Sequence, residues 1–201
     1  MLAAAILSAG ESRRMGTPKA LLPYRGTTFV EHLMNAARHP RVGIVRVVLG
    51  AGADAIRGHL LLDSASVVLN QDWANGQLSS IQAAVRSLAG CETEGLLLCP
   101  VDHPLISSAL VARLIEQFDA GKQAIVVPTF RGRRGHPVIF RANVYDELLA
   151  APSDIGARQV VWAHKKDTAE VSTEEEGVIL NLNDPDTLKK ALGTGPGFGP
   201  R

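Results

Sequence analysis

The first residues of the chain constrain its fold most. Positions 2–7 read Leu-Ala-Ala-Ala-Ile-Leu, with no polar side chain among them. A strand with one solvated face alternates apolar and polar residues, whereas a strand buried on both faces does not. The segment therefore predicts a strand inside a sheet that is covered on two sides. No basic residues precede it, and it is too short to span a bilayer. A secretory signal and a membrane anchor are disfavoured, and a cytoplasmic protein is expected.

Later segments repeat the theme. Aliphatic runs at 42–49, 67–69, 95–101 and 124–128 read as further strands. Helical periodicity lies between them, at 29–38, 54–62, 77–88 and 108–118. In the first of these, Phe29, Val30, Leu33, Met34 and Ala37 share a face; the last has Ser107 or Ser108 as N-cap. Strands alternating with helices predict an α/β, doubly wound, mostly parallel sheet with helices on both faces. Ligands in such sheets bind beyond the carboxyl ends of the strands. A chain of 201 residues is long enough for one sizeable core. A single domain over 1–192 is expected, followed by a Gly- and Pro-rich tail, 193–201, read as disordered.

Charge narrows the function. The net charge is +1, so there is no basic field for nucleic acid, and phosphate chemistry must rest on local groups. Cys91 and Cys99 form neither a disulfide framework nor a CxxC pair, and both read as small apolar residues.

Local cationic groups follow the first strand directly. The segment from Leu7 to Pro23, LSAGESRRMGTPKALLP, sets Gly10 and Gly16 around Arg13 and Arg14, with Lys19 beyond. Glycines let backbone N–H groups approach a phosphate, and the cations neutralise it. The spacing is neither GxxxxGK[ST] nor GxGxxG, which disfavours a P-loop and a dinucleotide fold. The residues alone leave two readings open, a phosphate cradle and a solvated basic turn. Asp102, in Pro-Val-Asp-His-Pro after the strand at 95–101, reads either as a magnesium ligand or as a helix cap. Asn75-Gly76 reads as a turn opening a helix whose N-terminus favours anions. Gly132 and Gly135 suggest turns between two strands in TFRGRRGHPVIF, residues 129–140, a hairpin rich in arginine.

Together these segments carry a resemblance. The pattern LSAGxSxRMGxxKALLP is similar to the signature of the MobA-like nucleotidyltransferases, and three later segments match in order. The resemblance implies a Rossmann-like fold of the nucleotide-diphospho-sugar transferase type. It places Leu7, Ser8, Ala9 and Gly10 near the base and ribose, and Arg14 and Lys19 on the phosphates. It adds Asn70, Gly76 and Ser80 to the nucleotide site. Ser79, Gly135, His136 and Pro137 fall at the acceptor, and Asp102 holds Mg²⁺. Trp73 reads as loop packing rather than as a ring that stacks on the acceptor. His103 fills a variable position and receives no metal role. In LNLNDPDTLKKAL, residues 180–192, the family's strand-ending acidic pattern falls on Asn181 and Asn183. Asn183 is thus a neutral second metal position, and Asp186 serves a helix N-terminus.

The start LSAG is closer to the LAAG of the molybdenum cofactor cytidylyltransferases than to the LAGG of the guanylyltransferases. The resemblance therefore implies CTP as donor, molybdopterin as acceptor, pyrophosphate as product and an apo-molybdoenzyme as recipient. Three rivals stand beside it: a guanylyl or other NTP transferase with a different phosphorylated acceptor, a non-catalytic molybdenum-cofactor chaperone, and an NAD-binding module.

Overall fold

The computed structural model describes residues 1–60 and 62–192. The tail from Gly193 lies outside the described residues. In chain order the elements are β1 (Leu2–Ser8), β2 (Pro23–Tyr24), β3 (Thr27–Thr28), α1 (Phe29–Ala36), β4 (Val42–Leu49), α2 (Ala53–His59), β5 (Val67–Leu69), α3 (Gln77–Arg86) and β6 (Gly95–Pro100). They continue with α4 (Ser108–Ala120), β7 (Ile125–Phe130), β8 (Arg133–Arg134), β9 (Val138–Arg141), α5 (Tyr145–Ala150), α6 (Arg158–Ala163), β10 (Thr168–Ser172) and α7 (Pro185–Leu192).

The main sheet runs β10-β7-β9-β6-β1-β4-β5, with β8 paired to β7. β1 lies inside it, parallel to β4 on one side and β6 on the other. Every β1 residue is buried, as its unbroken apolar run predicts. Alternate side chains serve opposite faces. Leu2, Ala4 and Ile6 pack with α1 and α4 through Val30, Leu33, Leu110 and Leu114. Ala3, Ala5 and Leu7 pack with α3, α5 and α6 through Ile81, Ala84, Leu148 and Val160. The alanines keep both helix layers close to the central strand.

The expected α/β, doubly wound, mostly parallel architecture is present. Three features differ from the sequence expectation. The return strand of the expected hairpin, β9, inserts between β7 and β6 and so breaks the parallel run of the sheet at its centre. The helices expected at 29–38 and 77–88 end two residues early, at Ala36 and Arg86, while the one expected at 54–62 is shifted to Ala53–His59. The 180–184 segment, expected at the end of a strand, is an irregular stretch laid against the β6 turn, where Leu182 N–H donates to the Asp102 carbonyl at 2.8 Å. Ser107 is the α4 N-cap, accepting from Leu110 N–H at 3.0 Å. No described helix is long and apolar enough to cross a membrane.

Candidate active site

Three chain segments meet beyond the carboxyl ends of β1 and β6. The first is the loop after β1. Ala9 carbonyl accepts from Ala51 N–H at 3.0 Å, which ties the loop to the end of β4. Gly50 is required there: a Cβ at that position would lie 2.7 Å from the Ala9 oxygen and 2.6 Å from Trp73 Cβ. Trp73 packs onto the α3 side of the core, as a loop-packing residue does. The side chains of Leu7 and Ala9 belong to that core, and Ser8 is buried. What this stretch offers a ligand is backbone, with Gly10 exposed.

Beyond Gly10 the loop folds back. Ser12 takes a left-handed conformation, φ 54°, and its Oγ accepts from Lys19 N–H at 3.1 Å. Gly16, φ 66°, closes the short helical turn Arg13–Met15. Arg13 is spent on Glu11 at 2.6 Å and points to solvent. Arg14 is exposed, and its charge acts on both Lys19 and Asp184.

The second and third segments are the β6 turn and the 180–184 stretch. Lys19 Nζ donates to Asn183 Oδ1. Burial pushes the Lys19 ammonium below the ordinary lysine range; Asp102 opposes this, Arg14 adds to it, and Asp184 opposes it. Lys19, Arg14, Asp102, Asn183 and Asp184 are therefore electrostatic neighbours, although up to 170 positions separate them. Asp184 caps α7 through Thr187 N–H at 2.8 Å and Thr187 Oγ1 at 2.9 Å, while Asp186 sits in the first turn. Among the described residues no donor is bonded to the Asp102 carboxylate, and no three His, Cys, Asp or Glu side chains converge as a metal cage. One free carboxylate beside an amide oxygen suits a hard divalent cation that takes the rest of its shell from phosphate and water.

The Asn70, Ser79 and Ser80 positions are arranged otherwise. Asn70 Nδ2 donates to Ser79 Oγ at 2.8 Å and Ser80 Oγ at 3.0 Å, and Ser79 Oγ donates to the Gly76 carbonyl at 2.8 Å. All three residues are buried. Their side chains clamp the Trp73 loop onto the start of α3.

On the other side of Asp102 a cleft of about 590 Å³ opens, lined by Gly76, Leu78, His103, Gly135, His136 and Asn181 among others. The hairpin forms one wall. Arg131 and Gly132 make its turn with φ of 49° and 76°. Gly135 is not a left-handed turn residue; it permits close approach, since a Cβ would lie 2.2 Å from the Val178 oxygen. His136 N–H donates to that same oxygen at 2.9 Å, and the peptide to Pro137 is cis. Glu175 braces the opposing segment by accepting from Ser107 Oγ at 2.6 Å and Ser107 N–H at 3.0 Å. Of the arginines, Arg134 pairs with Glu170 at 2.7 Å, Arg131 covers Phe130, and Arg133 lines the cleft.

His103, given no role by the sequence reading, lies in the same cleft. Its ring centroid is 4.8 Å from that of His136, and each Nδ1 lacks a hydrogen-bond partner among the described residues. Burial lowers the His103 pKa against the pull of Asp102. Burial first, then the His103 ring, pushes His136 down to about 4, with Asp102 opposing. The 153–158 loop, which carried no sequence signal beyond its turn residues, supplies Asp154, Ile155 and Arg158 to the rim.

A cationic loop, a free carboxylate at the end of β6 and an adjoining cleft on this sheet invite comparison with known proteins. The MobA-like NTP transferase domain matches residues 4–168. The chain belongs to that family. Its relatives divide by name. A nicotine blue oxidoreductase from Paenarthrobacter nicotinovorans is 34% identical over 199 residues, covering 92% of each chain. A molybdenum cofactor guanylyltransferase from Cupriavidus pinatubonensis is 27% identical over 191 residues, again covering 92% of each. Among solved structures, Rv0371c of Mycobacterium tuberculosis H37Rv superposes with a TM-score of 0.79 at 28% identity, covering 95% of this chain and 97% of that one. A manganese complex of the same mycobacterial protein superposes with a TM-score of 0.73. Family membership places the nucleotidyltransferase reading ahead of the NAD-binding module.

Proposed function

We propose that this protein transfers CMP from CTP to the terminal phosphate of molybdopterin or molybdenum cofactor and releases pyrophosphate. The observation that carries the reading is the convergence of Lys19, Arg14 and Asp102, with His103, the residue after Asp102, lining the 590 Å³ cleft. A nucleotide held by the loop and an acceptor held in the cleft meet at Asp102. Asp102 and Asn183, both neighbours of Lys19, would hold Mg²⁺, which would supply charge neutralisation at the triphosphate.

The chain's own residues then position and stabilise. Backbone at Ser8–Gly10 and Gly76 seats the base and ribose, with Leu7, Ala9, Asn70 and Ser80 shaping that seat. Lys19 and Arg14 neutralise the triphosphate as pyrophosphate departs. Gly135, His136 and Pro137, with Ser79 behind them, shape the acceptor wall. The acceptor phosphate is an anion at neutral pH, so its oxygen attacks the α-phosphorus in line without a general base, and alignment supplies much of the rate.

CTP is favoured by the LSAG start. The guanylyltransferase relative favours GTP, so the base is the point the assay must decide. Cytoplasmic location and an apo-molybdoenzyme recipient complete the proposal. Pyrophosphate release is measured with each of the four NTPs, Mg²⁺ and molybdenum cofactor. Release with CTP supports the reading, release with GTP moves the base, and release in undiminished amount after chelation removes the metal. Cofactor binding without release leaves a chaperone.

The oxidoreductase relative, matched over 92% of both chains, favours a second reading, two-electron reduction of a conjugated heterocycle in the same cleft. Bleaching of nicotine blue by a reduced nicotinamide nucleotide, with no NTP present, is its assay. The absence of GxGxxG argues against it.

A further inference from the structure

The cleft that His103 lines beside Asp102 has both apolar and polar walls. Leu78 and Ile81 of α3, Phe140 of β9 and Ile155 of the rim present apolar walls. Polar side chains, among them Gln77, Asp154, Arg158 and Asn181, line it as well, and His103 and His136 lie 4.8 Å apart with both Nδ1 atoms unpartnered among the described residues. His103 is 8% exposed, so bulk water does not satisfy it. Buried polar atoms ordinarily have partners, and two adjacent exceptions in a cleft mark a place completed by a ligand. The terminal torsion of histidine is broad, so a rotation of His136, or of His103 away from the Gly177 backbone, brings a closed-off Nδ1 to the cleft surface. A sugar needs hydrogen-bond partners around its whole perimeter. A flat heterocycle needs them along one edge and apolar contact on its faces, and Leu78, Ile81, Phe140 and Ile155 with the two histidines offer both.

Resting on the transferase reading above, the geometry points to His103, paired with His136, as the group that reads the polar edge of the acceptor's ring and thereby selects a planar heterocycle over a sugar phosphate. His103 is held for this task by its backbone: its N–H donates to the Pro100 carbonyl at 3.1 Å, which fixes the residue at the end of β6 next to Asp102. Asp102 and His103 are consecutive residues, so ring placement and phosphate placement are set together.

The test is fluorescence titration of the full chain with pterin, ribose 5-phosphate serving as the counter-probe and Mg²⁺-NTP binding measured separately by calorimetry. Wild type is expected to bind pterin more tightly than ribose 5-phosphate. His103→Leu is expected to weaken pterin binding at least about tenfold, because a site built to hydrogen-bond a ring discriminates strongly once its partner is gone. His103→Gln restores part of the loss, and NTP affinity stays unchanged in both. Equal pterin affinity in wild type and His103→Leu overturns the inference, as does a preference for ribose 5-phosphate. Should His103→Leu fail to fold, His136→Leu is judged by the same criterion. Loss of every NTP affinity in wild type sinks the transferase reading instead, an outcome read in a separate experiment from the pterin result.

Discussion

Lys19 and Asp102 show how much one side chain can carry when the fold concentrates charge. Each is half-buried, and each lies within the other's field. Lys19→Ala and Asp102→Ala are each expected to lower the rate of pyrophosphate release at least about tenfold, or roughly 1.4 kcal/mol of barrier. Wild-type rates in both variants would remove the site assignment. His136 gives a prediction of another kind. Its folded-state pKa of about 4 lies below the ordinary 6.5. Between those values the unfolded chain binds more protons than the native one, so stability is full above pH 6.5 and is lost as pH falls toward 4. The loss from this one group is at most about 3 kcal/mol. Urea midpoints at pH 7 and pH 4.5 measure it, and His136→Leu should flatten the dependence. An unchanged slope in the variant would assign the effect to other groups.

Elements set the geometry that those residues use. Thr28 and Glu31 close a reciprocal capping box at the start of α1, with Glu31 Oε2 accepting from Thr28 N–H at 2.8 Å, so this helix begins where its sequence says. The hairpin from β7 through β8 to β9 works by close approach. Gly135 lets the strand lie against the Val178 backbone, and that contact sets the cleft wall. Because a backbone oxygen cannot swing aside, Gly135→Ala must displace the hairpin. The expected cost is about 1–3 kcal/mol of stability. The acceptor KM should rise while the NTP affinity holds, and kinetics with each substrate varied in turn separate the two. A rise in the NTP constant alone would show that the hairpin serves the nucleotide.

At the scale of the whole molecule the two edges of the sheet differ in what they do. The proposed catalytic groups Arg14, Lys19 and Asp102 collect at the carboxyl edge. The amino edge carries a charge cluster in which Arg41 meets Glu94 at 3.0 Å and Asp119 at 2.7 Å, and the N-terminal amine meets Glu94 at 2.6 Å. This cluster joins the start of β4 to the ends of α4 and the β6 approach. Its members are solvent-accessible, which limits their worth. Arg41→Ala is expected to cost less than about 1 kcal/mol, with the difference shrinking in high salt, and to leave pyrophosphate release unchanged. Denaturation at low and high ionic strength checks the first point and the transferase assay the second. A loss of rate would mean that the two edges are coupled.

The sequence by itself determined the α/β architecture, because an unbroken apolar strand such as 2–7 has nowhere to go but a sheet covered on both faces. It also located the cationic loop, since glycines around arginine and lysine after the first strand are a local pattern. The boundaries of β4 and β5 were legible for the same reason. What depends on distant segments was not legible. The insertion of β9 between β6 and β7 follows from how the hairpin docks, and Asn183 reaches Lys19 only because the chain returns after 164 residues. The hydrogen bonds that tie Asn70 to Ser79 and Ser80 were not legible either, because they join a strand end to a helix start across the Trp73 loop. The pairing of His103 with His136 was decided by the tertiary structure alone: hydrogen-bonding need and burial are properties of a neighbourhood, and no single stretch of chain contains that neighbourhood.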